Sequence, residues 1–97
     1  MKYKNSNMRK VKNAHPLLVS CQTCKKELAI YQKRGRGNLI KLHILRIIEA
    51  EFNLTTLSNA LICPNCDTQV GSLADYRGKP VYFLLRGLTT TKRLKHL

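Results

Sequence analysis

The sequence predicts a small, mainly β domain of antiparallel strands with disordered basic ends. Three observations lead to this fold class. Short apolar segments rich in β-branched residues alternate with turns that contain Gly, Pro, Asn or Asp. Four cysteines form two C-x-x-C pairs, a spacing that can cross-link a small fold. Only 6% of the 97 residues are aromatic, so the core is expected to be thin and to need such a cross-link.

The first predicted strand, residues 17–20, leads into the first cysteine pair, and residues 28–31 form the second. The second strand ends at the basic loop, residues 33–38, where two glycines and an asparagine indicate a hairpin-like turn. Residues 39–48 follow, and their alternation and β-branched content favour a strand. The spacing of their apolar residues is also compatible with a helix, so that alternative stays open. The residues concerned are Leu39, Leu42, Ile44 and Ile47.

The second half of the chain repeats this organisation weakly. Residues 60–62 lead into the second cysteine pair, as the apolar strand before the first pair does. Closing strands are predicted at residues 68–73 and 80–85, joined by a turn at residues 76–79. The pattern in both halves is therefore a strand, a C-x-x-C turn and another strand.

The folded domain is predicted to span residues 17–86. Residues 1–16 form a basic polar arm without apolar periodicity, and residues 87–97 form a basic tail. Both ends are expected to be flexible and to become ordered only when a partner binds.

Cys21, Cys24, Cys63 and Cys66 are predicted to hold one Zn²⁺ ion, because two C-x-x-C turns can present four thiolates tetrahedrally. Disulfides are the alternative. The only apolar run after the basic N-terminal residues covers residues 17–19, which is shorter than the roughly 7–15 residues of a secretory signal. No stretch approaches a membrane span either. We therefore expect a cytoplasmic protein, in which thiols stay reduced and bind metal.

The predicted zinc site is structural, since four cysteines leave no open position for a catalytic water. His15 and His43 lack ligand spacing to either pair. The five carboxylates form no recognisable pair with a nucleophile, and neither a dinucleotide nor a phosphate-loop motif is present. The protein is therefore expected not to be an enzyme.

The formal net charge is +13, with 18 Lys and Arg against 5 acidic residues. Four thiolates and one Zn²⁺ reduce this to about +11, which still predicts a polyanionic partner. The basic loop and the arm are the candidate contacts, and RNA or a ribonucleoprotein is favoured over a specific DNA site. The candidate nucleic-acid-binding residues are Lys33, Arg34, Arg36, Lys2, Lys4, Arg9, Lys10 and Lys12. An equally weighted interpretation of the loop is an exposed turn whose charge only aids solubility.

The aromatic residues could stack on bases if they lay on an exposed sheet face. We interpret them instead as core residues, because that is their more frequent role. The residues are Tyr31, Tyr76, Tyr82 and Phe83. The apolar run at residues 81–85 suggests an alternative function, in which the domain is an adaptor that docks a protein partner through this strip or a sheet edge.

Cys21-Gln22-Thr23-Cys24 and Cys63-Pro64-Asn65-Cys66 give the chain a resemblance to zinc-ribbon proteins, in particular small uncharacterised prokaryotic ones. The segment from Cys63 to Leu85 also resembles the second half of Yippee-type β-tent domains. The resemblance covers roughly residues 17–86, and it implies a zinc-stabilised antiparallel domain. Ribbon families include ribosomal proteins, transcription factors and adaptors, so the resemblance implies no single function.

Overall fold

A computed structural model describes residues 1–95, and these form two antiparallel sheets. The first sheet has five strands in the order β1-β5-β3-β2-β9, and the second has four in the order β4-β8-β7-β6. The strands are β1 (Tyr3–Lys4), β2 (Ala14–Cys21), β3 (Glu27–Arg34), β4 (Lys41–His43), β5 (Ile47–Ala50), β6 (Ala60–Ile62), β7 (Gln69–Tyr76), β8 (Lys79–Leu84) and β9 (Thr89–Arg93). The predicted mainly β, antiparallel class is confirmed.

The weak internal repeat is visible as two similar hairpins. Strands β2 and β3 pair around the first cysteine turn, and β6 and β7 pair around the second. Each hairpin has an irregularity just before its turn, between Val19 and Ser20 in one and between Leu61 and Ile62 in the other. In each half a further strand, β5 or β8, then pairs beside the second strand of the hairpin.

Two strands exchange between the halves. Strand β4 follows β3 in the chain but pairs with β8 in the second sheet, and β9 follows β8 but pairs with β2 in the first. The basic loop therefore crosses from one sheet to the other. The hairpin-like turn predicted from its glycines is wrong, because β4 does not pair with β3. Gly35 and Gly37 both have positive φ angles there, which side-chain-bearing residues rarely adopt.

The segment at residues 39–48 is neither one strand nor one helix. Strand β4 is followed by a 3₁₀ turn at Ile44–Arg46 and then by β5. Leu42, Ile44 and Ile47 are all buried, because the turn lets both strands direct apolar residues into the space between the sheets. The mixed periodicity of the sequence reflects this change of sheet.

The core is mainly aliphatic and contains two tyrosines. Tyr31 and Tyr82 are each 2% exposed, and each hydroxyl has a backbone partner, as buried phenols require. The Tyr31 hydroxyl accepts from the His43 N–H at 3.0 Å, and the Tyr82 hydroxyl donates to the Ser58 carbonyl at 2.7 Å. The core prediction is right for these two residues, whereas Tyr76 is half-buried and Phe83 is exposed.

Described residues of both basic ends pair with strands of the first sheet, and their predicted ordering on binding a partner stays a prediction. Strand β1 pairs with β5, and β9 pairs with β2 over five residues. Between β1 and β2 the arm is fastened by hydrogen bonds to the segment around the 3₁₀ turn, such as Arg9 N–H to the Leu45 carbonyl at 2.8 Å. The last part of the predicted tail, His96 and Leu97, lies outside the described residues.

Gln32, the one buried polar residue of the described core, holds part of the N-terminal arm against the first sheet. Its side-chain oxygen accepts from the Val11 N–H at 2.9 Å, and its amide nitrogen donates to the Arg9 carbonyl at 2.9 Å. The same nitrogen lies 3.4 Å from the Arg46 carbonyl. Because a buried amide is costly without partners, these bonds make the position of the arm specific.

Replacing Gln32 by Leu should release residues 9–11 from the sheet. The Val11 N–H loses its acceptor, so we expect its amide exchange to accelerate and the free energy of unfolding to fall by about 1–3 kcal/mol. Hydrogen exchange by NMR and urea unfolding measure the two effects. Gln22→Leu is the control, since Gln22 is exposed. Unchanged Val11 protection in the Gln32 variant would contradict this account.

Candidate metal centre

The four cysteines converge on one point at the end of the two hairpins. Their sulfur atoms all lie within 4.8 Å of one another. The Cys21 and Cys66 sulfurs are 3.6 Å apart, and the Cys24 and Cys63 sulfurs are 3.5 Å apart. Both distances exceed the roughly 2.0 Å of a disulfide and are near the roughly 3.8 Å edge of a tetrahedron of sulfurs 2.3 Å from a zinc ion. The cysteines are therefore positioned to coordinate a metal ion.

The two cysteine turns have the same backbone structure. In the first, Lys25 N–H donates to the Cys21 carbonyl and Cys21 N–H to the Lys26 carbonyl, both at 2.8 Å. In the second, Asp67 N–H donates to the Cys63 carbonyl and Cys63 N–H to the Thr68 carbonyl, both at 2.9 Å. Two equivalent turns facing each other present two sulfurs each, which is what a four-sulfur shell requires.

Each turn needs a left-handed residue after its second cysteine. Lys25 has φ 66° and Asp67 has φ 61°, which is the conformation that the C-x-x-C pattern predicts for these positions. Asp adopts it more readily than Lys, whose unbranched side chain offers no local hydrogen bond to offset the steric cost. The first turn is therefore the more strained of the two.

Within each pair the first cysteine is buried and the second is half-buried. Cys21 and Cys63 are 0% exposed, and this burial raises the pKa of Cys63 even though backbone N–H groups of Cys66 and Asn65 point at its sulfur. The pKa of Cys24 is lowered, chiefly by a hydrogen bond from the Asn65 side chain. A bound cation would hold the buried sulfurs as thiolates, which burial alone disfavours.

Asn65 and Thr68 are second-turn residues that the sequence did not single out. The Thr68 hydroxyl oxygen lies 3.2 Å from the Cys66 sulfur, and the Asn65 side chain lowers the pKa of Cys24 in the opposite turn. Partners of this kind orient metal ligands and tune their charge. Their only sequence signal is a polar residue between or just after the cysteines of a C-x-x-C pair.

His15 and His43 take no part in the cluster, which among residues 1–95 is formed by cysteines alone. His43 lies on β4 beside Tyr76, and His15 lies on β2 opposite Lys33. Four sulfurs without histidine or carboxylate are the donor set of structural zinc sites.

The predicted nucleic-acid-binding residues are divided among three regions. Lys2 and Lys4 lie at the β1 edge. Lys4 is opposite Glu49 in the strand register, and the Lys2 backbone N–H donates to the Glu51 carboxylate. Lys33 and Arg36 line a groove of about 260 Å³ that also includes His15 and Arg93. Lys10 and Lys12 are exposed on the segment between β1 and β2.

Two further grooves extend this basic surface. One of about 160 Å³ is lined by residues that include Lys33, Arg34, Lys41 and Arg46. Another of about 390 Å³ shares Arg46 with it and also includes Arg9, Arg77 and Lys79. No carboxylate lines any of the three. We call this surface the basic belt: Arg9, Lys33, Arg34, Arg36, Lys41, Arg46, Arg77, Lys79 and Arg93.

The chain matches no protein-family model, no curated protein and no solved structure. The cysteine cluster agrees with the metal-binding part of the resemblance to zinc ribbons, and membership of a zinc-ribbon or Yippee family is not shown. Among the described residues, no helix has the length and apolar character needed to cross a bilayer.

Removing the metal should unfold the domain. Apparent zinc-binding free energies of about 10–16 kcal/mol in small domains match or exceed the stability of a typical fold. We expect one zinc ion per chain by elemental analysis, four reactive thiols after chelation, and loss of the β-type circular dichroism. The variant Cys63→Ser should also lose the metal and the β-type circular dichroism, whereas Ser20→Ala should retain both. A chelated protein with an unchanged melting temperature would show that these cysteines stabilise the fold without metal.

Lys25→Gly should stabilise the metal-loaded protein, by up to about 1 kcal/mol, because glycine removes the steric cost of the left-handed backbone. Asp67→Gly should increase the free energy of unfolding by less, since Asp already tolerates the left-handed conformation. Thermal unfolding of the two variants side by side gives the comparison. A larger gain for Asp67→Gly would argue against backbone strain at Lys25.

Proposed function

We propose that the protein is a non-enzymatic, structural-zinc nucleic-acid-binding protein whose basic belt contacts the phosphate backbone. The observation that supports it is the continuity of the belt: three adjoining grooves contain basic side chains and no carboxylate. Contacts to phosphates supply most of the affinity of such proteins and need closely spaced Lys and Arg.

The distribution of acidic residues adds to this argument. Glu49 and Glu51 are engaged at the β1 edge, with the N-terminal amine at 2.9 Å and with Lys26 at 3.2 Å. Asp75 accepts a hydrogen bond from the Gly78 N–H at 2.7 Å, and Asp67 lies in the second cysteine turn. The positive charge of the belt is therefore not neutralised locally, and a polyanion is the partner that would do so.

RNA is favoured over a specific DNA site. Residues 1–95 contain a 3₁₀ turn and no α-helix, so the usual major-groove reading element is lacking in the described fold. Shallow basic grooves suit single strands, loops and the irregular backbone of structured RNA. In this proposal the metal centre is structural: it fixes the two sheets relative to each other, and the protein resides in the cytoplasm.

The double variant Arg34→Ala, Arg36→Ala tests the basic loop. Zinc-loaded protein would be titrated into labelled single-stranded RNA, double-stranded RNA and duplex DNA at two salt concentrations. We expect tight, salt-sensitive binding to RNA by the native protein. The variant should bind more weakly, with the slope of log affinity against log salt reduced by about 1–2, because each lost phosphate contact changes that slope by about 0.7–0.9.

The control variant is Lys25→Gly, Lys92→Ala, which removes the same charge from the first cysteine turn and the outer strand β9. It should keep most of the affinity. Equal losses in the two double variants would show that binding follows net charge alone, and unaltered affinity in the loop variant would exclude the loop as a contact.

An adaptor function is the second candidate, and one observation favours it. Ile40 and Leu85 are 62% and 40% exposed, and both line a groove of about 490 Å³. The predicted strip at residues 81–85 is smaller than expected, because Val81 and Tyr82 are buried. A stoichiometric protein partner that is lost in Ile40→Ser, together with no RNA binding, would favour the adaptor.

A further inference from the structure

The part of the belt around Tyr76 differs from the rest, because its cations surround a single pocket. The pocket has a volume of about 390 Å³, within the lower range of small-ligand sites. Its charged and aromatic lining comes from the arm, β4, the 3₁₀ turn and the β7–β8 turn. These residues are Arg9, His43, Arg46, Tyr76, Arg77 and Lys79.

Tyr76 organises the charges next to it. The Lys41 ammonium lies 4.5 Å from the centre of its ring, and the Arg77 guanidinium carbon lies 5.3 Å from it. The His43 ring meets the Tyr76 ring edge-on at 5.8 Å. The cation–π contacts place both Lys41 and Arg77 against the Tyr76 ring, at a modest energetic gain for each.

Arg9 and Arg46 are brought together through their backbone carbonyls by the buried amide of Gln32. This side chain donates to the Arg9 carbonyl at 2.9 Å, and it lies 3.4 Å from the Arg46 carbonyl. The arm and the 3₁₀ turn are therefore held together where their arginines enter the same pocket. Such preorganisation lowers the ordering cost of binding a ligand.

The pocket has an unbalanced positive charge. Four cationic side chains line it with no carboxylate among them, and the Lys41 ammonium lies beside it on the Tyr76 ring. Asp75, the nearest acid in sequence, instead accepts a hydrogen bond from the Gly78 N–H. The pKa of His43 is lowered by burial and then by Arg46, Lys41 and Lys79, so its imidazole is neutral at pH 7. A group with two negative charges matches this density better than one phosphodiester does.

We propose that this pocket binds a nucleoside phosphomonoester, with the phosphate among Arg9, Arg46, Arg77 and Lys79. Two ligands carry this chemistry: the phosphorylated end of a nucleic-acid strand and a free mononucleotide. The strand-end version rests on the proposed function, whereas the mononucleotide version does not. The remaining volume beside the phosphate accommodates a sugar and part of a base.

Three RNA oligonucleotides of one sequence test the strand end: one with a 5′-phosphate, one with a 3′-phosphate and one without a terminal phosphate. We expect one of the phosphorylated strands to bind about tenfold more tightly than the unphosphorylated strand at the same ionic strength, since hydrogen bonds to charged groups contribute at this level. The double variant Arg77→Gln, Lys79→Gln should lose the preference. Both side chains are exposed, so the fold should persist, as a two-dimensional NMR spectrum would verify.

The matched control is Lys25→Gln, Lys92→Gln, which removes the same charge outside the pocket and should retain the preference.

A second measurement uses AMP, inorganic phosphate and adenosine, with the His43 imidazole followed by NMR across a pH titration. A dianion next to His43 stabilises its protonated form, so AMP and phosphate should raise the His43 pKa and adenosine should not.

The outcomes separate this inference from the proposed function. If all three strands bind with equal affinity and AMP does not change the His43 pKa, the pocket is not a phosphomonoester site. The proposed binding of the phosphate backbone by the belt is unaffected by that result. Absence of RNA binding together with a raised His43 pKa in AMP overturns the proposed function and assigns the pocket to a free mononucleotide. A preference for a phosphorylated strand that disappears in the pocket variant alone supports the strand end.

Discussion

The meeting of four sulfurs at one point is the constraint on which the rest of this structure depends. Each cysteine turn ends a hairpin; the first hairpin, β2–β3, lies inside its sheet, and the second, β6–β7, forms one edge of the other. Cys21 and Cys63 are fully buried, so their thiolates need a cation, and a cation bound by all four sulfurs would hold the two hairpins together. The remaining core is aliphatic with two tyrosines, which is a small apolar content for two sheets.

The sequence was sufficient to predict that the four cysteines come together and that a hairpin surrounds each pair. These features are local, since a C-x-x-C turn places its sulfurs, its two backbone hydrogen bonds and its left-handed residue within a few positions. Lys25 and Asp67 occupy the left-handed position although neither is glycine. The approach of the four sulfurs to within 4.8 Å of one another is then a matter of bringing two such turns together.

The sequence could not predict where β4, β9 and the arm would pair. The pairing partner of an edge strand depends on contacts between residues far apart in the sequence. The polar, basic composition of residues 1–16 also gave no periodic signal of a strand. One indication is present in the sequence: Gln32 directly follows the apolar run from Leu28 to Tyr31 in β3. A buried amide in a strand requires partners that the strand itself cannot supply. The pocket around Tyr76 was missed for the same reason, because its residues come from separate parts of the chain.

The exchange of β4 and β9 between the sheets has a consequence for how the protein is made. The β2 edge of the first sheet is not covered until Arg93 pairs with Leu17, so every residue from β2 through β9 must leave the ribosome before that edge is paired. Until then β2 presents unpaired backbone groups beside Leu17 and Val19, which invites association with other chains. The two cysteine-containing halves are thus unsuited to separate expression, since each would lack an outer strand that the other provides.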